Sequence, residues 1–180
     1  MRWSGPGVVL ACVVLTAGCG SVPTTSPPGQ GPATVPERPA DRSEGVRSPT
    51  AGALADRVIR TARSLLATPY RFAGSDRSGF DCSGLTAFVF RQIGLGLPRT
   101  AAGQASAGRW VAPDELAGGD LVFFGDSRDK PLHVGLVISE PGEPLTMIHS
   151  SSSRGVVETE VVSDRYWLTR LKFGRRVLEE

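Results

Sequence analysis

Gly118–Ile138 reads GGDLVFFGDSRDKPLHVGLVI. Two apolar runs, rich in Val, Phe, Leu and Ile, flank the charged segment Ser127–Lys130. That pattern predicts two strands joined as an antiparallel hairpin with the charged residues at its tip. Period-two alternation in LHVGLVI sets His133 on one face with Gly135 and Val137, and Leu132, Val134 and Leu136 on the other. Gly135 carries no side chain beside the imidazole, so a group from a packed helix is expected to approach there. Downstream, TMIHS (Thr146–Ser150) and GVVETEVV (Gly155–Val162) predict further strands, and His149 falls in the first of them.

Upstream of the hairpin the period changes. ALADRVIRTARSLLATPY, Ala53–Tyr70, places Leu54, Val58, Ala62, Leu65 and Leu66 near helical spacing, with Pro69 as a stop. Tyr70–Gly79 is turn-rich. Asp81 then suits an N-cap for a helix carrying Leu85, Phe88, Val89 and Ile93 and closed by Gly94. Helices first and an antiparallel sheet afterwards give an α+β domain. With 180 residues and 40% hydrophobic composition, the chain has material for one such domain over 53–180.

The N-terminus has a different character. Residues 1–18 show Arg2, an apolar run Val8–Leu15 and then small residues, the pattern of a secretory signal. Its apolar run is shorter than the roughly 20 residues that span a bilayer. LTAGC, Leu15–Cys19, is similar to a bacterial lipobox, although Leu15 sits one place further from the cysteine than usual. The expectation is lipidation at Cys19. Residues 19–52 are dominated by Pro, Ser, Thr and Gly and hold too little apolar surface to offset the entropy of ordering them, so they are expected to form a disordered tether.

Charge and cysteine content exclude two classes. The 20 basic and 18 acidic residues are interspersed, so no field recruits nucleic acid. Of Cys12, Cys19 and Cys82, only Cys82 lies in the expected domain, which excludes a disulfide framework.

Cys82 follows the Asp81 cap directly, in a first turn whose unpaired N–H groups and dipole favour an anion. The expected consequence is a thiol more acidic than a free one. The chain has two histidines, His133 and His149, both in strand-like runs. If their strands are neighbours, His149 can hydrogen-bond the far nitrogen of His133 and fix its tautomer, giving a nucleophile, a base and an orienting group. These residues equally permit an inert core cysteine with locally satisfied histidines. A zinc site is disfavoured, since no CxxC or HxxxH pair is present.

Several segments together resemble the NlpC/P60 family of bacterial cell-wall cysteine peptidases: TPYRFAGSDRSGFDCSGLTAFVF, LPRTAAGQ, GGDLVFF, HVGLVI and MIHSSSSRGV, in that order. The closing RYWLTRLKFGRRVL is similar to the end of lipoprotein murein endopeptidases of Gram-negative bacteria. The resemblance implies a papain-like fold with Cys82 as nucleophile, His133 as general base and His149 as the orienting residue. It implies Tyr70, Asp81 and Ser83 as substrate-site residues, with the Tyr70 hydroxyl near the oxyanion. No metal or organic cofactor is implied. Ala73 stands where many members carry the first of two glycines.

The implied substrate is the peptide of peptidoglycan, cut between γ-D-glutamate and a diamino acid or, as the terminal similarity favours, between D-alanine and a diamino acid. Expected partners are that polymer and, through Cys19, a membrane, for a monomer in the cell envelope. Gly20 is not the aspartate that retains lipoproteins in the inner membrane, so a Gram-negative source implies the outer membrane. Competing functions are an amidase or acyltransferase on the same scaffold and a non-catalytic wall-binding lipoprotein.

Overall fold

The computed structural model describes residues 49–178. The signal segment, Cys19 and the tether as far as residue 48 lie outside the described residues.

Helix α1, Ala51–Arg63, begins two residues ahead of the expected boundary at 53, because the Thr50 hydroxyl accepts the Ala53 N–H and caps it. It buries Val58, Ile59 and Ala62. Leu65 and Leu66 fall past its end: Leu65 is buried, but Leu66 is 42% exposed and no part of the core. A two-residue ribbon, β1 (Ser75–Asp76) and β2 (Gly79–Phe80), lies within the segment expected to be only turns. Helix α2 follows over Cys82–Arg91, and Gly94 ends the turn after it at φ 84°, a left-handed value that glycine adopts freely. A short α3, Ala101–Gln104, completes the helical half.

The second half supplies β3 (Arg109–Val111), β4 (Leu121–Gly125), β5 (Pro131–Val137), β6 (Thr146–Ser151), β7 (Gly155–Glu160), α4 (Arg165–Arg170) and β8 (Leu171–Arg176). The six strands form one antiparallel sheet in the order β3-β8-β4-β5-β6-β7. The β4–β5 hairpin turns around residues 126–130, as its charged tip anticipated, and slips register between Phe124 and Gly125. Strands β3 and β8 were not anticipated. Their runs RWV and LKFGRR are short or rich in charge, and the bidentate pair from Arg176 to the buried Asp120 helps hold β8 beside β4.

The sheet separates two cores. On one face Leu121, Phe123, Val134, Leu136 and Ile148 pack beneath α1 and α2, meeting Val58, Ile59, Leu85, Val89 and Phe90. On the other, Val122, Phe124, Val137, Met147 and Val161 are joined by Trp167 of α4 and by Leu171. The molecule is therefore α+β, as its periodicities indicated. Among the described residues, no helix is long and apolar enough to cross a membrane.

Candidate active site

The seat of Cys82 is built from close backbone packing. Asp81 caps α2 as expected, its Oδ1 accepting the Gly84 N–H at 2.7 Å. The loop before the helix folds over that first turn: a Cβ on Gly84 would stand 2.0 Å from the Gly74 carbonyl oxygen, so only glycine fits. Arg99 grips the same turn, donating to both Asp81 carboxylate oxygens at 3.0 and 2.7 Å, to Ser83 Oγ at 3.1 Å and to the Gly74 carbonyl at 3.2 Å. Beneath it, fully buried Gln104 donates to the carbonyls of Ser83 and Pro98 and accepts from Thr86 Oγ1. Ser150, in β6, donates to the Phe80 carbonyl at 2.7 Å and ties the loop to the sheet.

This arrangement corrects part of the sequence reading. Asp81 and Ser83 do not line the cavity that holds Cys82. Ser83 is 5% exposed, and both side chains turn to Arg99. Gly84 likewise makes room for the Gly74 carbonyl and not for substrate. Arg99 and Gln104 went unassigned because each acts through contacts distant in sequence, although both lie in the quoted LPRTAAGQ.

The thiol meets the sheet where two strands part. Strands β5 and β6 pair at Leu136 with Ile148 and at Val137 with Met147, and no further toward the histidines. Val137 N–H donates toward β4 and Ile138 N–H toward β6, so alternation points the Val134 N–H to the β6 side. There it faces Cys82 sulfur, as do the N–H groups of Ser83 and Cys82 itself. Cys82 thus occupies the gap left by an unmade rung, one residue from His133. Gly135 does not admit a helical side chain as expected: the space beside it is filled by Met147, whose sulfur lies 2.7 Å from where a Cβ would be.

His133 and His149 do come together. His133 Nε2 lies 2.9 Å from His149 Nδ1 with the rings nearly perpendicular, and His149 Nε2 lies 3.1 Å from Thr159 Oγ1 in β7. Trp167 covers both, its ring centroid 4.8 Å from that of His133 and 4.9 Å from that of His149. Neither Thr159 nor Trp167 carries a sequence signal of its own.

Burial dominates the electrostatics. It pushes the Cys82 thiol above its ordinary value, helped by the Asp81 carboxylate and opposed by the three backbone N–H groups. The expectation of a more acidic thiol is therefore reversed. Burial pushes His133 down to about 4, and burial followed by the charges of His133 and Arg154 pushes His149 down to about 3. Both shifts favour a neutral thiol beside a neutral imidazole. Tyr70 is raised by burial and then by Cys82 and Asp81, and it lines the same cavity as Cys82.

Tyr70, Cys82, His133 and Trp167 line a cavity of about 450 Å³, walled further by Leu132, Tyr166, Asp164 and the Ser150–Arg154 turn. A larger recess of about 620 Å³ lies between α1 and β8 around Asp120 and Arg176, without a nucleophile. Among the described residues, no three His, Cys, Asp or Glu side chains converge as metal ligands. The site brings a cysteine thiol, an imidazole with one nitrogen engaged and a phenol to one cavity, a set suited to acyl transfer.

Comparison with known proteins gives a consistent picture. The NlpC/P60 family model matches residues 67–176. The chain is 39% identical over 112 residues to the probable endopeptidase NlpC of Escherichia coli K12, covering 61% of this chain and 70% of that one. It is 38% identical over 110 residues to murein DD-endopeptidase MepS/murein LD-carboxypeptidase of the same organism, covering 61% and 55%. A crystal structure of an NlpC/P60 family protein from Bacillus cereus superposes with a TM-score of 0.64 at 32% identity, covering 69% of this chain and 40% of that one. The matched region spans from 29% to 70% of the length of curated relatives.

Proposed function

Because the chain belongs to the NlpC/P60 family, we propose that it is a cysteine endopeptidase that hydrolyses peptide bonds in bacterial peptidoglycan. The observation that carries this reading is the meeting of Cys82 with His133 in one cavity, where the far nitrogen of His133 is held by His149. Its other nitrogen, Nδ1, is left for the thiol.

Catalysis begins from the neutral pair. His133 Nδ1 takes the thiol proton as Cys82 sulfur bonds to the substrate carbonyl carbon. The oxyanion that forms is held by backbone N–H groups at the start of α2 and by the Tyr70 hydroxyl. His133 returns the proton to the leaving amine, which departs and leaves a thioester on Cys82. Water, deprotonated by His133, then attacks the thioester, releasing the carboxylic acid and restoring the thiol. Bringing substrate to the cavity displaces water, which strengthens each of these charge interactions.

The bond favoured is the D-alanine–diamino acid cross-link, supported by the similarity to a murein DD-endopeptidase and by the closing RYWLTRLKFGRRVL. The γ-D-glutamate–diamino acid bond is the alternative within the same mechanism. Lipidation at Cys19 and the Pro-rich tether belong to the same proposal: a membrane-anchored enzyme needs a spacer to reach the wall polymer.

Mass analysis of muropeptides tests it. Wild type should convert cross-linked dimers to monomers and Cys82→Ala should not. Shortened stems would move the cut to the γ-glutamyl bond, and glycan with free lactyl groups would replace the endopeptidase reading by an amidase. Intact peptidoglycan after incubation with wild type would sink it.

A further inference from the structure

We propose that Thr159 is a positioning residue that sets the tautomer of His149 and, through it, leaves the cavity-side nitrogen of His133 bare to receive the Cys82 proton. The inference rests on the endopeptidase reading and adds a fourth member to the relay.

It follows from counting protons. A neutral imidazole carries one N–H, so each ring offers one donor and one acceptor. For His133 to accept the thiol proton at Nδ1, its own proton must sit on Nε2, which lies 2.9 Å from His149 Nδ1. His149 Nδ1 must then be bare, and its proton must sit on Nε2. The His149 ring is 0% exposed, so that N–H has no water to turn to. The hydroxyl oxygen of Thr159, at 3.1 Å, is the acceptor in place.

The opposite assignment breaks the relay. A hydroxyl that donated to His149 Nε2 would put the proton on Nδ1, opposite His133 Nε2. His133 would then have to accept there and carry its own proton on Nδ1, where the thiol needs a base. Arg154 is compatible with the working state: its guanidinium approaches Thr159 Oγ1 at 3.5 Å and can only donate, so it occupies one lone pair and leaves the second to accept from His149 Nε2. Arg154 and His133 are also the charged or titratable groups that disfavour a second proton on His149, while the Trp167 face closes the ring from water.

The fold explains why residue 159 can do this. In the β6–β7 ladder His149 stands opposite Val157, and Met147 opposite Thr159. Directly opposed residues share a face, so Thr159 is the diagonal neighbour of His149 on its own side of the sheet, within reach of its far nitrogen. Val157, which is directly opposite, has no polar atom to offer.

Two variants and one spectrum test the inference. Thr159→Val keeps the shape and removes the hydroxyl; Thr159→Ser keeps the hydroxyl. With muropeptide dimers as substrate, Thr159→Val should lower kcat about tenfold to a hundredfold, the range in which groups orienting a histidine from one contact away act. KM and melting temperature should stay near wild type, and Thr159→Ser should recover most of the loss. Ring-nitrogen NMR of the unliganded protein should show His149 protonated on Nε2 in wild type and Thr159→Ser, with Nδ1 protonation appearing in Thr159→Val. Wild-type His149 protonated on Nδ1, or unchanged kcat and unchanged ring spectra in Thr159→Val, would overturn the inference. The spectra need no substrate: expected tautomers in a wild type that releases no peptide would uphold Thr159 as the tautomer-setting group and reject the endopeptidase reading instead.

Discussion

The two faces of the sheet are built from similar apolar residues yet hold opposite halves of the chemistry. The face beneath α1 and α2 is dense with Leu, Val, Ile and Phe and presents the Cys82 sulfur at the start of a helix. The other face has a smaller core, capped by Trp167 of a six-residue helix, and holds both imidazoles. Cys82 and His133 thus approach from opposite sides and come to one cavity where β5 and β6 stop pairing. A complete ladder there would seal the two faces from each other. The unmade rung opens the gap, and the sulfur fills it against the Val134 N–H.

Removing the base from the imidazole face should have the largest effect. His133→Ala is expected to lower peptide release by three orders of magnitude or more, roughly the scale for losing a triad member. The helix-face core should survive, so a cooperative melt close to wild type is the control. Substantial activity in this variant would mean that the two faces do not cooperate.

Disturbing the helix face should cost stability first. Gly84→Ala puts a methyl group 2.0 Å from the Gly74 carbonyl. The loop must lift from α2 at a cost of about 3 kcal/mol, the upper end for overpacking, seen as a lower denaturation midpoint. A wild-type midpoint would show that the loop is looser than its packing implies.

Mild acid, above the carboxylate range, probes chiefly the imidazole face. Both histidines titrate below 6.5, His133 at about 4 and His149 at about 3, so between those values and 6.5 the unfolded chain binds more protons than the folded one. Stability is therefore retained above pH 6.5 and lost as pH falls from 6.5 toward 4, with a slope of up to about 1.4 kcal/mol per pH unit for each ring. Chemical denaturation across that range measures it. Trp167→Ala, which uncovers both rings, should flatten the slope and move the acid limb of kcat/KM from near 4 toward 6.5. An unchanged limb would mean that Trp167 is not what keeps the rings dry.

The smallest expected effect concerns the cap. Arg99→Met leaves Asp81 without its bidentate partner. Because the guanidinium is partly exposed, the loss should be about 1 kcal/mol or less. The unscreened carboxylate should raise the Cys82 thiol further, shifting the pH dependence of iodoacetamide alkylation to more alkaline values. An acidic shift would contradict the role assigned to Arg99.

Much of this arrangement is legible in the chain. Asp81 and Gly84 are three residues apart, so the cap follows from local chemistry. The alternation through His133 and His149 follows from a strand's period of two, and both rings do share a face. Arg99, Gln104, Trp167 and Thr159 are different. Each matters through a partner many residues away or on another strand; the segments of Arg99, Gln104 and Trp167 are short and carry no period, and the strand pattern around Thr159 does not say what its hydroxyl meets. Asp81 and Ser83, expected at the substrate, turn instead to Arg99, and nothing near them in sequence announces that neighbour.

By itself, the sequence determined the class and the candidate groups: an α+β chain with one cysteine behind a helix cap and two histidines on strands. Those features depend on neighbours within a turn or a pleat. Tertiary structure alone decided how the groups behave. The meeting of Cys82 with His133 needs a missing rung between two strands, and the upward shift of the thiol and downward shift of both imidazoles come from desolvation by residues brought from both halves of the domain. Desolvation depends on everything packed around an atom, so it belongs to the folded molecule and to no local stretch of chain.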